Sequence, residues 1–337
     1  MNPPPADRAV PSAHGSGEIM SLRQQADPGP YLDALRTLFG SPFRPAQLDA
    51  EHWPDIMLSH LCADALQAGI EDEHVGQLIR LRNLHPDGPE VLHWPWPMRV
   101  YTLGRFSLVK HGKAVTFAGK SPRKSLELLQ ALIALGGREV HVSQLMHALW
   151  RETDGRDLRR LFDNTLHRLR LILDHEEVIL LRDAKLTLDI RHCWVDAWAF
   201  DSIASRLCNG ESVPQRLAHE AWRLYQGHFL QRDAQEAWLL PYAERLRSRF
   251  HRLILVQGER LELASQWESA CEMYTHAIEI DSLAEVLYRR LMVCLLHRGE
   301  FAEVVRVYRR CCDLLSIVLG VKPSSETEAI RLRVENR

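Results

Sequence analysis

Apolar residues along this chain change their period twice, and the changes divide it. Helical spacing begins near Tyr31, and Ile56, Leu58, Leu61, Ala65 and Leu66, then Val75, Leu78, Ile79 and Leu81, predict a helical pair within 48–84. Residues 86–97 break the pattern, because Pro95 and Pro97 alternating with Trp94 and Trp96 cannot continue a helix; they mark an ordered linker. From there the period is two. Val100, Thr102 and Gly104 oppose Tyr101, Leu103 and Arg105, segments 106–109 and 114–117 follow, and a small antiparallel sheet is expected. Ser121 as N-cap and Pro122 in the first turn predict a helix to Leu135, closed by Gly136 and Gly137. Further helices are expected over 142–150 and 157–173, then a hairpin from 178–181 and 185–190. Beyond Val195 nearly everything has helical period. Residues 1–30, rich in Pro, Gly and Ser with few large apolar groups, are expected to be disordered.

Sheet, three helices and hairpin is the layout of a winged helix, placed at 98–192. The C-terminal part repeats at an offset of 34 residues: Trp267 matches Phe301, Ala270 matches Val304, Tyr274 matches Tyr308 and Ala277 matches Cys311. That offset is the tetratricopeptide length, in which paired helices stack because neither buries its apolar face alone. Gly258 suits a close helix approach, while Val304, Cys311, Met292 and Ser282 depart from the repeat's preferences. The expected fold is mainly α with a small β component: a helical segment and Pro/Trp linker over 31–97, the winged helix, a tetratricopeptide-like α-helical repeat domain over 193–325, and a tail over 326–337.

An apolar fraction of 46% is ordinary for a globular protein, and no apolar run is long enough to cross a bilayer. The N-terminus lacks the basic start and apolar core of a secretory signal, and seven scattered cysteines without C-x-x-C spacing suit a reducing compartment, so a cytoplasmic location with no membrane partner is expected. The net charge of −2 conceals a local imbalance. Residues 1–97 carry 6 basic and 13 acidic side chains, 98–198 carry 17 and 12, and 199–337 carry 19 of each. Within the basic middle, 98–126 holds Arg99, Arg105, Lys110, Lys113, Lys120, Arg123 and Lys124 with no acid, a field suited to phosphate.

On a helical wheel, Leu158, Phe162, Thr165, Leu166, Leu169 and Ile172 gather on one side of the 157–173 helix. Opposite them lie Arg160, Asn164 and His167, with Asp163 and Arg170 on one flank and Arg168 on the other. Such a face fits a major groove, where Arg and Asn offer bidentate donors to base edges and other cations meet phosphate. A charged face on an isolated helix is ordinarily only solvated; its place as third helix in the only basic segment favours double-stranded DNA as partner. Arg182 and Lys185 on the hairpin, and Lys120, Arg123 and Lys124 at the first helix, are further phosphate candidates. No enzyme or cofactor chemistry is expected. Gly119-Lys120-Ser121 lacks the upstream glycine of a phosphate-binding loop, Ser121-Pro-Arg-Lys124 lacks acyl-enzyme partners, and none of the 17 histidines has metal-ligand spacing. Vicinal Cys311 and Cys312 read as packed thiols.

Short runs in a fixed order carry a family resemblance: Arg99-Val-Tyr-Thr-Leu-Gly104-Arg-Phe, Leu166-His-Arg-Leu-Arg170, Val195-Asp-Ala-Trp-Ala-Phe200, Tyr225-Gln-Gly227-His-Phe-Leu230 and Leu319-Gly-Val-Lys-Pro-Ser324. Residues 98–190 resemble the OmpR/PhoB-type winged helix, and 195–325 resemble the bacterial transcriptional activator domain that follows it in SARP-type regulators. The resemblance implies binding to direct DNA repeats and recruitment of RNA polymerase; the repeat domain is expected to serve homodimerisation, contact with a regulatory protein, or polymerase contact. It places Arg160, Asn164, His167, Arg168 and Arg170 toward DNA. Two departures stand out: Leu171 occupies a place where such helices commonly carry a cation, and the wing has no Gly-Tyr pair. Residues 1–97 resemble the end of the helical arm that precedes this module in large regulators, the Trp94-Pro-Trp-Pro97 junction included. Without the nucleotide-binding domain of those relatives, a shortened or split form is expected. The alternative is a protein-interaction adaptor whose winged helix is structural.

Overall fold

The structure, a computed structural model, describes residues 14–25, 27–41, 43, 45, 48, 51–117, 122–151, 155–174, 176–211, 213–231 and 236–335. The N-terminal part is four helices, α1 (His14–Arg23), α2 (Gly29–Phe39), α3 (Asp55–Ala68) and α4 (Asp72–Arg82). Helix α1 lies in the stretch expected to be disordered: Ile19 packs into the same core as Tyr31 and Leu35, which offsets the ordering entropy of an otherwise polar segment. Ile56 and Leu81, counted on the apolar face from their spacing, are instead exposed. Trp94 and Trp96 close this core rather than bridging solvent, at 2% and 4% exposure.

The winged helix follows with β1 (Met98–Tyr101), β2 (Ser107–Lys110), β3 (Lys113–Ala114), α5 (Arg123–Ala134), β4 (Val140–His141), α6 (Val142–Leu149), α7 (Gly155–Leu173), β5 (Ile179–Arg182) and β6 (Lys185–Leu188). Strands β1, β2 and β3 form the expected antiparallel meander. Pro122, not Ser121, is the N-cap of α5, its carbonyl accepting from Ser125 N and Leu126 N; Ser121 and Lys120 lie outside the described residues. Two short strands have no period to betray them: β4 pairs with β6, and β7 (Cys193–Val195) pairs parallel to β1.

Among the described residues seven α-helices follow: α8 (Asp196–Cys208), α9 (Gln215–Leu224), α10 (Leu240–Leu263), α11 (Trp267–Ile280), α12 (Glu285–Arg298), α13 (Phe301–Leu314) and α14 (Ser325–Glu335). Helices α11 and α13 begin and end in the register the repeat predicts, with Ala270, Tyr274, Ala277, Val304 and Cys311 buried. At Gly258 in α10 a methyl group would stand 1.9 Å from the Tyr274 hydroxyl, so the close approach foreseen there is met by the repeat's own tyrosine. The repeat departs at its end. A π turn, Leu315–Leu319, precedes α14, and the expected tail instead packs as this helix: Thr327 and Ile330 are buried, and Glu285 accepts from Ser324 and Thr327.

The first residue of α8, Asp196, fastens these helices to the winged helix. Its buried carboxylate accepts from Thr102 N at 2.8 Å, Thr102 Oγ1 at 2.6 Å, Leu103 N at 2.9 Å and Ala197 N at 2.7 Å. Burial pushes this carboxyl up to about 6 against the opposing pull of those donors. Beside it, Leu230 N donates to Thr102 O, and the backbones of Gly104 and Gly227 pass so closely that a Cβ at Gly227 would stand 2.8 Å from the Gly104 Cα, while Gly104 holds a φ of +90°. Asp196→Ala would strand these donors in the interior and is expected to cost about 2–4 kcal/mol in urea unfolding; a loss below about 0.5 kcal/mol would show that the clasp is not needed.

Candidate nucleic-acid interface

Helix α7 is held by the side the wheel assigns to the core. Phe162, Thr165, Leu166 and Leu169 are buried against α5 and α6, while Leu158 and Ile172 are half-buried at its margins. Thr165 Oγ1 returns a hydrogen bond to Leu161 O at 2.7 Å, which keeps this polar residue satisfied inside the helix. Outward stand Arg160, Asn164, His167 and Arg168, all exposed and, among the described residues, without a side-chain hydrogen bond or ion pair. Leu171, 66% exposed, continues the row one turn beyond His167.

Arg170 behaves differently from its neighbours. Half-buried, it donates through Nη2 to Ile179 O at 3.2 Å, and its Nε is buried without a partner among the described residues. The guanidinium therefore ties α7 to the first strand of the hairpin, so the structure turns it away from the free face. The wheel had placed it on a flank, and spacing alone could not show that the hairpin folds back onto that flank.

The hairpin turn is made without glycine. Asp183 and Ala184 take φ of 48° and 56°, left-handed values at both central positions of a two-residue turn that brings Arg182 opposite Lys185. Arg182 is exposed at the tip, whereas Lys185 pairs with Glu139 at 3.2 Å. At the start of α5, Arg123 pairs with Glu127 at 2.8 Å, and Lys124 lies 2.7 Å from the other oxygen of the same carboxylate while reaching Leu149 O. The basic run 98–126 is thus no single patch: Lys110 is bound to Asp174, Arg99 faces the N-terminal helices, and the cations near α5 share one acid.

Comparison with known proteins agrees with this architecture. Residues 195–335 match the family model of the bacterial transcriptional activator domain. The regulatory protein AfsR of Streptomyces griseus is 26% identical over 218 residues, covering 61% of this chain, and the chain spans only 22% of that relative's length. The structure of Mycobacterium tuberculosis EmbR, solved in complex with a low-affinity phosphopeptide, superposes with a TM-score of 0.52 at 19% identity over 71% of this chain and 65% of that one; the likeness is one of fold.

The two roles of arginine on α7 can be told apart by stability. Arg170→Ala is expected to lower the free energy of unfolding by about 1–3 kcal/mol, and Arg160→Ala and Arg168→Ala to change it by no more than about 0.5 kcal/mol, in parallel urea titrations. Equal losses at all three positions would contradict the division. A winged helix followed directly by helices that match the bacterial transcriptional activator domain makes the chain similar to SARP-type regulators.

Proposed function

We propose that this chain is a cytoplasmic transcription regulator, an activator, that binds double-stranded DNA by laying α7 in the major groove. The observation that carries the reading is the row of exposed, unpaired Arg160, Asn164, His167 and Arg168 on a helix whose opposite side is fully committed to the core. Asn164 has the amide geometry to read adenine, Arg160 and Arg168 serve guanine or phosphate, and the exposed Leu171 meets a thymine methyl group. Arg182 at the hairpin tip reaches the neighbouring backbone. Lys185, Arg123 and Lys124 supply general positive potential and exchange their acidic partners for phosphate on binding, and Lys120 adds to the same stretch of sequence. Arg170 supports the interface by holding hairpin and helix together.

The helical repeats contact a protein, either RNA polymerase, a regulatory protein or a second copy of the chain. A groove on their surface supports this part of the reading, lined by charges of both signs, among them Glu268, Glu279, Glu303 and Arg310. The same groove favours the adaptor as a second reading, in which it alone does the binding.

Counterion release makes the DNA reading measurable. Affinity for a promoter fragment selected from the host's genomic DNA is expected to fall steeply with salt. Each phosphate-contacting arginine changed to alanine should make the logarithmic slope shallower by about 1, whereas Asn164→Ala should cost about 1–3 kcal/mol at one base position and leave the slope unchanged. A wild-type chain that selects no fragment above an Arg160, Asn164 and Arg168 triple-alanine variant supports the adaptor instead.

A further inference from the structure

Where the N-terminal helices meet the winged-helix sheet, the surface opens into a cavity of about 650 Å³, a volume common for small-molecule sites. Its lining includes the apolar or aromatic side chains of Leu84, Pro95, Pro97, Tyr101 and Val109. It also includes Arg80, Arg99 and Arg191 with His85, His111 and His192, and among the described residues no carboxylate lines the cavity.

The three arginines differ in how their charge is met. Arg191 is already neutralised by Asp189, which takes its Nη2 at 2.6 Å. Arg99, half-buried in β1, donates to Trp94 O at 2.7 Å and stands 5.6 Å from the centre of the Trp194 ring; a carbonyl and a π face orient the guanidinium without cancelling its charge. Arg80 on α4 is exposed at the mouth and has no ion pair with any described residue. A half-buried cation without an anion beside it is costly, and an anionic ligand removes that cost. Burial first, and then the nearby His192 and Arg191, hold the His85 imidazole below its usual range against the opposing pull of Asp189.

We propose that this cavity is a binding site for a small organic anion with a flat apolar body, lying against Pro95, Pro97 and Tyr101 with its carboxylate, sulfonate or phosphate head between Arg80 and Arg99. The site is independent of α7 and does not rest on the DNA-binding reading.

The test uses the full chain, without DNA, and 8-anilinonaphthalene-1-sulfonate as the probe, followed by its fluorescence. Saturable one-to-one binding is expected. N-phenyl-1-naphthylamine, the same ring system without the sulfonate, should bind at least about tenfold more weakly, a difference of ~1.4 kcal/mol. Arg80→Glu should weaken the sulfonate by a similar factor, Arg80→Gln by less, and neither should change the uncharged analogue; Arg333→Glu, the same charge change on α14, should leave both unaffected. Because Arg80 is exposed and bonded to no described residue, unchanged circular dichroism and melting temperature are expected for its variants. Absence of saturable binding, equal affinity for the charged and uncharged probes, or a sulfonate affinity untouched by Arg80→Glu would each overturn the proposal.

Discussion

The Asp196 carboxylate is the interaction on which the arrangement of this molecule depends. A carboxylate at the first turn of a helix is favoured by the helix's unpaired N–H groups, and here it also takes the backbone of Thr102 and Leu103 just past the end of β1. Its four donors come from both sides of the seam between winged helix and repeats, so neither side can move away without leaving polar groups unsatisfied in the interior. The apolar core runs through the same seam without interruption, from Met98 in β1 to Ile330 in α14. What would be a flexible joint in a two-domain protein is here a packed and hydrogen-bonded junction.

Arginine is put to contrasting uses around that frame. Arg170, Arg247 and Arg249 are structural: one ties α7 to the hairpin, and the others take buried or half-buried carboxylates, Asp281 and Asp201. Asp281 is the clearest case. The His251 imidazole, 2.9 Å away, and the Arg247 guanidinium hold its carboxyl far below the usual range despite its burial. Arg160 and Arg168 keep their charge exposed, and Arg80 and Arg99 present theirs to a cavity. A count of basic residues cannot separate these roles, because what decides them is whether an acid or a carbonyl comes within reach after folding.

The distinction explains which parts of the molecule were legible in the sequence. The periods of two and 3.6 located the meander, the three helices, the hairpin and the 34-residue repeat, since each is written in which positions are buried along one element. The core side of α7 was legible for the same reason. Strands β4 and β7 were not: two and three residues long, they exist only because β6 and β1 offer an edge. Nor was the inward turn of Arg170, which depends on a hairpin nine residues further on, or the burial of Asp196, one letter in a run recognised by resemblance. Helix α1 and the exposed Ile56 and Leu81 show the opposite failing, where composition and spacing stood in for contacts that packing decides.

Strands β1 and β7 carry the constraint one step further. Residues in a strand alternate between faces, and here the two faces belong to different cores. Met98, Val100, Cys193 and Val195 point into the core shared by winged helix and repeats, whereas Tyr101 and Trp194 pack against the N-terminal helices, edge to face at 5.5 Å. Arg99 sits on that second face and lines the cavity, and the Thr102 backbone, directly after β1, meets Asp196. Within five consecutive residues, 98–102, the chain touches the N-terminal helices, the winged-helix core and the first helix of the repeats. A displacement of β1 by one residue would exchange its faces and break all three contacts together, so this short strand has essentially one admissible position. That is why the otherwise unremarkable run Arg99-Val-Tyr-Thr-Leu is among the most informative stretches of the sequence: its alternation of charged, apolar and aromatic residues records three neighbours at once.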